Sequence, residues 1–192
     1  QNSAGRMELN PRDADLTLNG PIYNDNSVDY QVWGSFGALT TLTLGSNLGV
    51  GSTAANVDFI QQAGRNTLVN VAASQSYAGT TTVNSGSFVT GSGVTLASSA
   101  IVVGGGTVAS TSANTFADSA TLTINSGRLS IGGSDTVASL AGSGGTVNVS
   151  TGATLTTGNS GSTSYAGSIT GGGNLTKVGS GTFSLSSASS MT

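Results

Sequence analysis

The stretch GGGNLTKVGSGTFSLSS, residues 171–187, holds three consecutive glycines, two short runs of alternating apolar residues, one lysine and a crowd of hydroxyls. Alone, it reads equally as a linker, a phosphate loop or one turn of a repeat. Its neighbours decide. Residues 81–88 read TTVNSGSF, 101–108 IVVGGGTV, 122–129 LTINSGRL, 147–155 VNVSTGATL and 169–175 ITGGGNL. Each sets an apolar residue, a polar turn containing glycine, and a second apolar residue. The glycines that align on that pattern are Gly86, Gly106, Gly127, Gly152 and Gly173. The apolar residues that follow them are Phe88, Val108, Leu129, Leu155 and Leu175. A step of roughly 20–25 residues from one turn to the next marks a solenoid. The step from Gly127 to Gly152 is the longest of the series.

Between the turns the pattern alternates with period two, as in Leu122-Thr-Ile124, Val147-Asn-Val149 and Phe183-Ser-Leu185. Such runs are short strands with one face buried. Valine, isoleucine, threonine and phenylalanine suit strands, and glycine clusters suit the corners between them. No segment longer than about ten residues carries a helical period. The expected fold is all-β: a right-handed parallel β-helix, or β-solenoid, with coils of about 20–25 residues. Each strand then pairs in parallel with its equivalent above and below, and a ladder of apolar residues fills the interior. In this reading 171–187 is one more coil, with Leu175, Val178, Phe183 and Leu185 pointing inward.

Composition agrees. Only 7 % of the 192 residues are charged and the net charge is -3, whereas 36 % are apolar. Disordered chains combine low hydrophobicity with high net charge, so this is a folded body with an uncharged, hydroxyl-covered surface. There is no cysteine, hence no disulfide or thiolate metal site. No apolar run is long enough to span a membrane as a helix. The mild acidity speaks against a nucleic-acid partner. No signal peptide is visible; Gln1 is expected to be a processed N-terminus or the edge of a fragment.

Residues 1–65 differ from the rest. They carry most of the charges (Arg6, Glu8, Arg12, Asp13, Asp15, Asp25, Asp29 and Asp58, with Arg65 at the border), both prolines and the only tryptophan. Leu16-Thr-Leu18 and Leu42-Thr-Leu44 keep the repeat, but 23–36 breaks it. Residues 1–65 are therefore expected to form a cap with the first coils and an inserted aromatic loop, and 66–192 one continuous repetitive body.

Three stretches resemble the autotransporter-associated β-strand repeat of secreted bacterial passenger domains: TLVNVAASQSYAGTTTVNSGSF (67–88), YAGSITGGGNLTKVGSGTFSLSS (165–187) and, more weakly, LTLNGPIYND (16–25). One half of that repeat, G-x-L-T-K-x-G-x-G-T-L-x-L-x-G, is matched by Gly173, Leu175, Thr176, Lys177, Gly179, Gly181, Thr182, Phe183 and Leu185. The other, N-T-Y-x-G-x-T-x-V-x-x-G, is matched by Tyr77, Gly79, Thr81, Val83 and Gly86, with Phe88 following. The good matches cover about a quarter of the chain. The resemblance implies a secreted or surface-displayed β-helix of a Gram-negative-type bacterium and brings no catalytic residues, cofactor or ligand with it. The family's translocator barrel is not in this sequence, and the chain stops at Met191-Thr192 inside a repeat. It is thus expected to be a fragment, or a stack that something else continues.

Candidate chemistry is sparse. Without histidine or cysteine there is no Ser-His-Asp triad, no Cys-His pair and no ordinary zinc site. Lys177, the only lysine, is the one partner for a Ser-Lys pair; its plainer reading is an exposed strand residue. No nucleophile elbow and no phosphate-loop motif occurs. Asp13 with Asp15, or Asp25 with Asp29, offers paired carboxylates for glycoside chemistry, against a plainer reading as solvated charges. NDNSVD (24–29) is rich in oxygen ligands for calcium but lacks an EF-hand spacing, and GGSD (132–135) is an incomplete calcium repeat. Thr-x-Thr pairs at 41–43, 80–82, 121–123 and 154–156 suggest an ice- or crystal-binding array, which the uneven coil lengths disfavour. Tyr23, Tyr30, Trp33 and Phe36 are candidates for contact with a partner or sugar, or for a hydrophobic cap.

The sequence therefore points to a non-enzymatic extracellular structural or adhesive body without metal or cofactor. Its expected partners are further copies stacked end to end, since open strand edges add strands, or a host or neighbouring cell surface. The alternative is a polysaccharide-binding or polysaccharide-cleaving β-helix.

Overall fold

The computed structural model describes residues 6–11, 14–23, 29–34, 39–50, 57–62 and 66–191. The described residues form a parallel β-solenoid of about eight turns without helices. Each full coil visits three faces in the same order. The first face stacks Arg6–Leu9, Asp29–Val32, Phe59–Gln61, Thr80–Val83, Ala100–Val103, Thr121–Ile124 and Ser139–Ala141. A bridge from Gly142 to Tyr165 carries it on to Thr163–Tyr165 and Phe183–Leu185. The second face is one nine-stranded sheet running from Leu16–Leu18 to Ser190–Met191. The third face is patchier. Ile22–Tyr23 pairs with Leu48–Val50, single bridges join Gln75, Leu96 and Phe116, and Asp135–Val137, Thr154–Thr157 and Asn174–Lys177 close it.

Period-two alternation produces the core. On the first face Tyr30, Phe59, Thr81, Ile101, Leu122 and Leu140 lie in register and fully buried. On the second face Leu42, Val69, Phe88, Val108, Leu129, Val147 and Ile169 do the same. Each side chain packs against its equivalents one coil up and one coil down, so burial energy accrues coil by coil. Where phenylalanines and tyrosines meet they interlock: the rings of Phe59 and Phe88 cross edge to face at 5.5 Å, and Phe59 stacks on Tyr77 at 6.1 Å. The ladders cross residue 65 without a break, Thr40–Leu44 pairing with Thr67–Val71 over its whole length. Asp29–Val32, within the expected aromatic insert, is a strand of the first face.

Register corrects the glycine alignment. The residues that enter the second-face strands in equivalent positions are Gly86, Gly106, Gly127, Gly145 and Gly167. Gly152 and Gly173 belong to another corner, between the second and third faces. Leu155 accordingly pairs with Asp135 and Leu175 with Leu155 on the third face, not in the ladder of Leu129. The two corners share one local pattern, apolar–glycine–apolar, and period alone cannot separate them. The long step from Gly127 to Gly152 is the trace of this slip from one corner to the other. The coil starting at Thr121 is short because a single residue, Ala138, links its third-face strand to the next first-face strand.

At the upper end of the described stack, register turns Leu175, Phe183 and Leu185 inward, whereas Val178, expected with them, follows Lys177 out of that phase. Leu175 and Phe183 are half-buried there, while Val178 and Leu185 are about two-fifths exposed (40 % and 42 %). Leu185 stands in register with the buried Tyr165, and no described first-face strand covers it.

Gly142 and Gly93 separate two uses of glycine. Both have left-handed φ, 142° and 72°. At Gly142 a Cβ would strike the carbonyl of Ile124, whereas at Gly93 it would meet open space. Gly142→Ala is expected to cost about 2–4 kcal/mol by strain and collision together, and Gly93→Ala about 1 kcal/mol by strain alone. Urea unfolding followed by circular dichroism measures both; equal losses would refute the collision.

Candidate functional site

The corners set the chemistry of this fold. Inside a sheet, each N–H and C=O is paired by the neighbouring coil. At a corner backbone pairing continues only in part, as from the Asn84 N–H to the Gln61 carbonyl and from the Arg128 N–H to the Gly106 carbonyl, and where it lapses a buried backbone group needs another partner. Short side chains supply it. The hydroxyls of Ser74, Ser134 and Ser162 each accept the N–H of a residue one coil further on, Thr95, Thr154 and Thr182, at 3.0 Å. Asn47 holds Ser76 twice, accepting its N–H at 2.8 Å and donating to its hydroxyl at 2.7 Å. Gln75 lies in the third-face ladder itself. Its Oε1 accepts the Leu48 N–H at 2.8 Å, and its Nε2 donates to the carbonyls of Ala73 and Ser46.

The N-terminal acids, Asp15 and Asp29 of the candidate carboxylate pairs among them, are employed the same way. Asp15 accepts the N–H of Thr41 at 2.7 Å, Asp29 that of Asp58 at 3.2 Å, and Asp58 that of Thr80. They form rungs from coil to coil. Asp13 and Asp25, their expected catalytic partners, lie outside the described residues, as do 24–28 of the possible calcium stretch. Among the described residues no group of three or more acidic side chains is placed to hold a metal ion. Lys177 sits on the uppermost third-face strand, in register with Thr157, and its ammonium donates to the carbonyls of Val178 and Gly179.

The four aromatic candidates do not form one patch. Tyr23 is exposed on the third face (66 %). Tyr30 is fully buried in the first-face ladder between Met7 and Phe59, which removes it as a contact residue: strand alternation turns it inward. Trp33 is half-buried and donates its ring N–H to Gln31 Oε1 at 3.2 Å. Phe36 lies outside the described residues.

Sequence reading passes over Asp135, the most perturbed acid. It is 2 % exposed and occupies the inward position that Leu155 and Leu175 hold in later coils. Its Oδ2 accepts the N–H groups of Thr115 and Phe116, and its Oδ1 that of Thr136. Burial outweighs these bonds and, with a smaller push from Asp118, raises its pKa to about 6. Beside it lies a depression of about 310 Å³ lined by Leu96, Asn114, Phe116 and Asp118 among others. Asn114 there is the one non-glycine residue with left-handed φ, 53°, among the described residues. A third-face ladder drawn in register would have revealed an acid where leucine stands above it.

A second polar pair comes from the repeated tetrapeptide Ser-Tyr-Ala-Gly at 76–79 and 164–167. Both tyrosines are fully buried, and burial pushes both phenols up to about 12. The Tyr77 hydroxyl is 3.0 Å from the hydroxyl of Thr81, which is 2.7 Å from that of Ser98. Where Thr81 follows Tyr77, Ile169 follows Tyr165, and the Tyr165 hydroxyl has no hydrogen-bond partner among the described residues.

Comparison of the chain with protein-family profiles, curated proteins and solved structures gives no match. The parallel solenoid with its repeats stands on the structure; the resemblance to passenger domains rests on the quoted motifs.

Two outcomes follow from the buried groups. Folding raises the pKa of Asp135, so the folded chain binds its proton more tightly than the unfolded one. The stability it contributes is complete below about pH 4 and is lost as pH rises through about 6. Asp135→Asn should gain on the parent protein between about pH 4 and 7, by at most about 3 kcal/mol. Thermal melts of both across that range test this, and a constant difference would contradict it. Tyr77→Phe should cost about 1 kcal/mol, whereas Tyr165→Phe, which removes an unpaired hydroxyl, should be neutral or stabilising; denaturant titration distinguishes them.

Proposed function

We propose that this chain is a non-enzymatic, extracellular structural or adhesive body, secreted by or displayed on a Gram-negative-type bacterium as a segment of a passenger-like β-solenoid. One observation carries the reading. The described charged side chains that sequence offers for catalysis, Asp15, Asp29 and Lys177, are bonded to backbone as coil rungs or turn clamps. Bonded in this way, these groups tie one coil or turn to the next and serve the stiffness of the stack. The low charge and hydroxyl-covered faces suit a body that presents surface.

The partner we favour is a further coil of the same kind, brought by continuing chain or by a second copy stacked end to end. Supporting it, the uppermost described strands keep unpaired edges, and Leu185 stands uncovered there. A host or neighbouring cell surface is the partner for the outer faces. One observation favours the polysaccharide alternative: the depression beside Asn114 and Asp118.

Electron microscopy of native material tests the structural reading, with rods or filaments as the expected outcome. Incubation with a panel of bacterial and plant polysaccharides should release no reducing ends. Release that disappears in Asp118→Asn would replace the structural reading with an enzymatic one.

A further inference from the structure

The inward position that opens each second-face strand is glycine in the later coils: Gly86, Gly106, Gly127, Gly145 and Gly167. In the two coils below, the same ladder position holds Thr67 and, in register with it, Thr40. The last inward residue of the adjoining first-face strand changes as well. It is Gln61 where the following coils have Val83, Val103 and Ile124. The switch coincides with a longer connection: more chain separates Phe59–Gln61 from Thr67–Val71 than separates Thr80–Val83 from Ser87–Thr90.

Three polar side chains thus meet at one corner of the lumen, Thr40 in register with Thr67 and Gln61 bonded to it. Gln61 and Thr67 are fully buried and Thr40 is 4 % exposed. One hydrogen bond is made within the group, from Gln61 Nε2 to the Thr67 carbonyl at 2.7 Å. Three oxygens are left over: Thr40 Oγ1, Thr67 Oγ1 and Gln61 Oε1 have no hydrogen-bond partner among the described residues. Buried oxygens are ordinarily paired, and leaving one dry is worse than replacing it by hydrocarbon.

We infer that Thr40, Gln61 and Thr67 together bind one internal water molecule at the corner between the first and second faces. The chemistry matches. An amide oxygen only accepts, and water donates to it; the two threonine hydroxyls rotate to donate or accept as the water requires. Three protein partners is the usual complement of a buried water. A metal ion suits the site less, because no formal charge stands among the three groups. The backbone ladder is already carried across this corner, from the Gln62 N–H to the Val32 carbonyl and from the Thr40 N–H to the Asn66 carbonyl, so the water serves the three side-chain oxygens alone.

The test is on the chain as described. Thr40→Val and Thr67→Val keep shape and remove one oxygen each. If the water is there, each should lower the melting temperature by about 2–4 °C. The double variant should lose less than the two combined, since either change unseats the same water. Unchanged or raised melting temperatures in both single variants would mean a dry site and overturn the inference. In the unaltered protein, water-selective NMR should show transfer from a long-lived water to the Gln61 side-chain amide. No transfer there overturns it too, whether or not the variants fold.

Discussion

Everything in this molecule depends on pairing backbone groups at the corners of a parallel stack. Strands in register look after themselves, because each coil offers the next a complete row of donors and acceptors. A corner offers only part of such a row, and a chain nearly free of charge has few ionic means to supply the rest. The serines, threonines, asparagines and aspartates of the chain fill this need. Ser74, Ser134 and Ser162 act as substitute carbonyls one coil apart, Asp15, Asp29 and Asp58 do so near the N-terminus, and Gln75 and Asp135 do so from inside the lumen. What reads as a low-complexity surface is largely a set of joints.

The same economy lets coils differ in length without disturbing the faces. The second face stays in register although the step from Gly127 to Gly145 is shorter than the one from Gly145 to Gly167. The variation is taken up at the third face and the turns beside it, where strands shorten to single bridges at Leu96 and Phe116. Uneven coil length therefore does not break the first face: Thr80, Ala100 and Thr121 stand in register on it.

The solenoid class is legible because two signals agree, period-two alternation within strands and glycine at a period of about 20 residues. The inward ladder is legible as far as Leu129, since each coil up to there has the same face order and similar length. It fails at Leu155 and Leu175 because two corners carry the same local pattern and only hydrogen-bond register tells them apart. Tyr30 is misplaced by sequence for a related reason. A cluster of aromatics looks like a surface patch until the strand phase is known, and Tyr30 lies in phase with Phe59. Asp135 is hidden by its neighbourhood: GGSD reads as a turn, and nothing local reveals that its carboxyl faces inward.

The hydrogen bonds between coils run along the axis of the stack, and the covalent chain runs around it. A pull applied across the axis meets strands along their length, where the chain itself bears the load. A pull along the axis loads the rungs of one junction in parallel and successive junctions in series, so the weakest coil-to-coil junction sets the strength of the whole. By its construction this is a body that resists bending and crushing, yet under end-on tension it yields one turn at a time, lengthening as it does so instead of snapping.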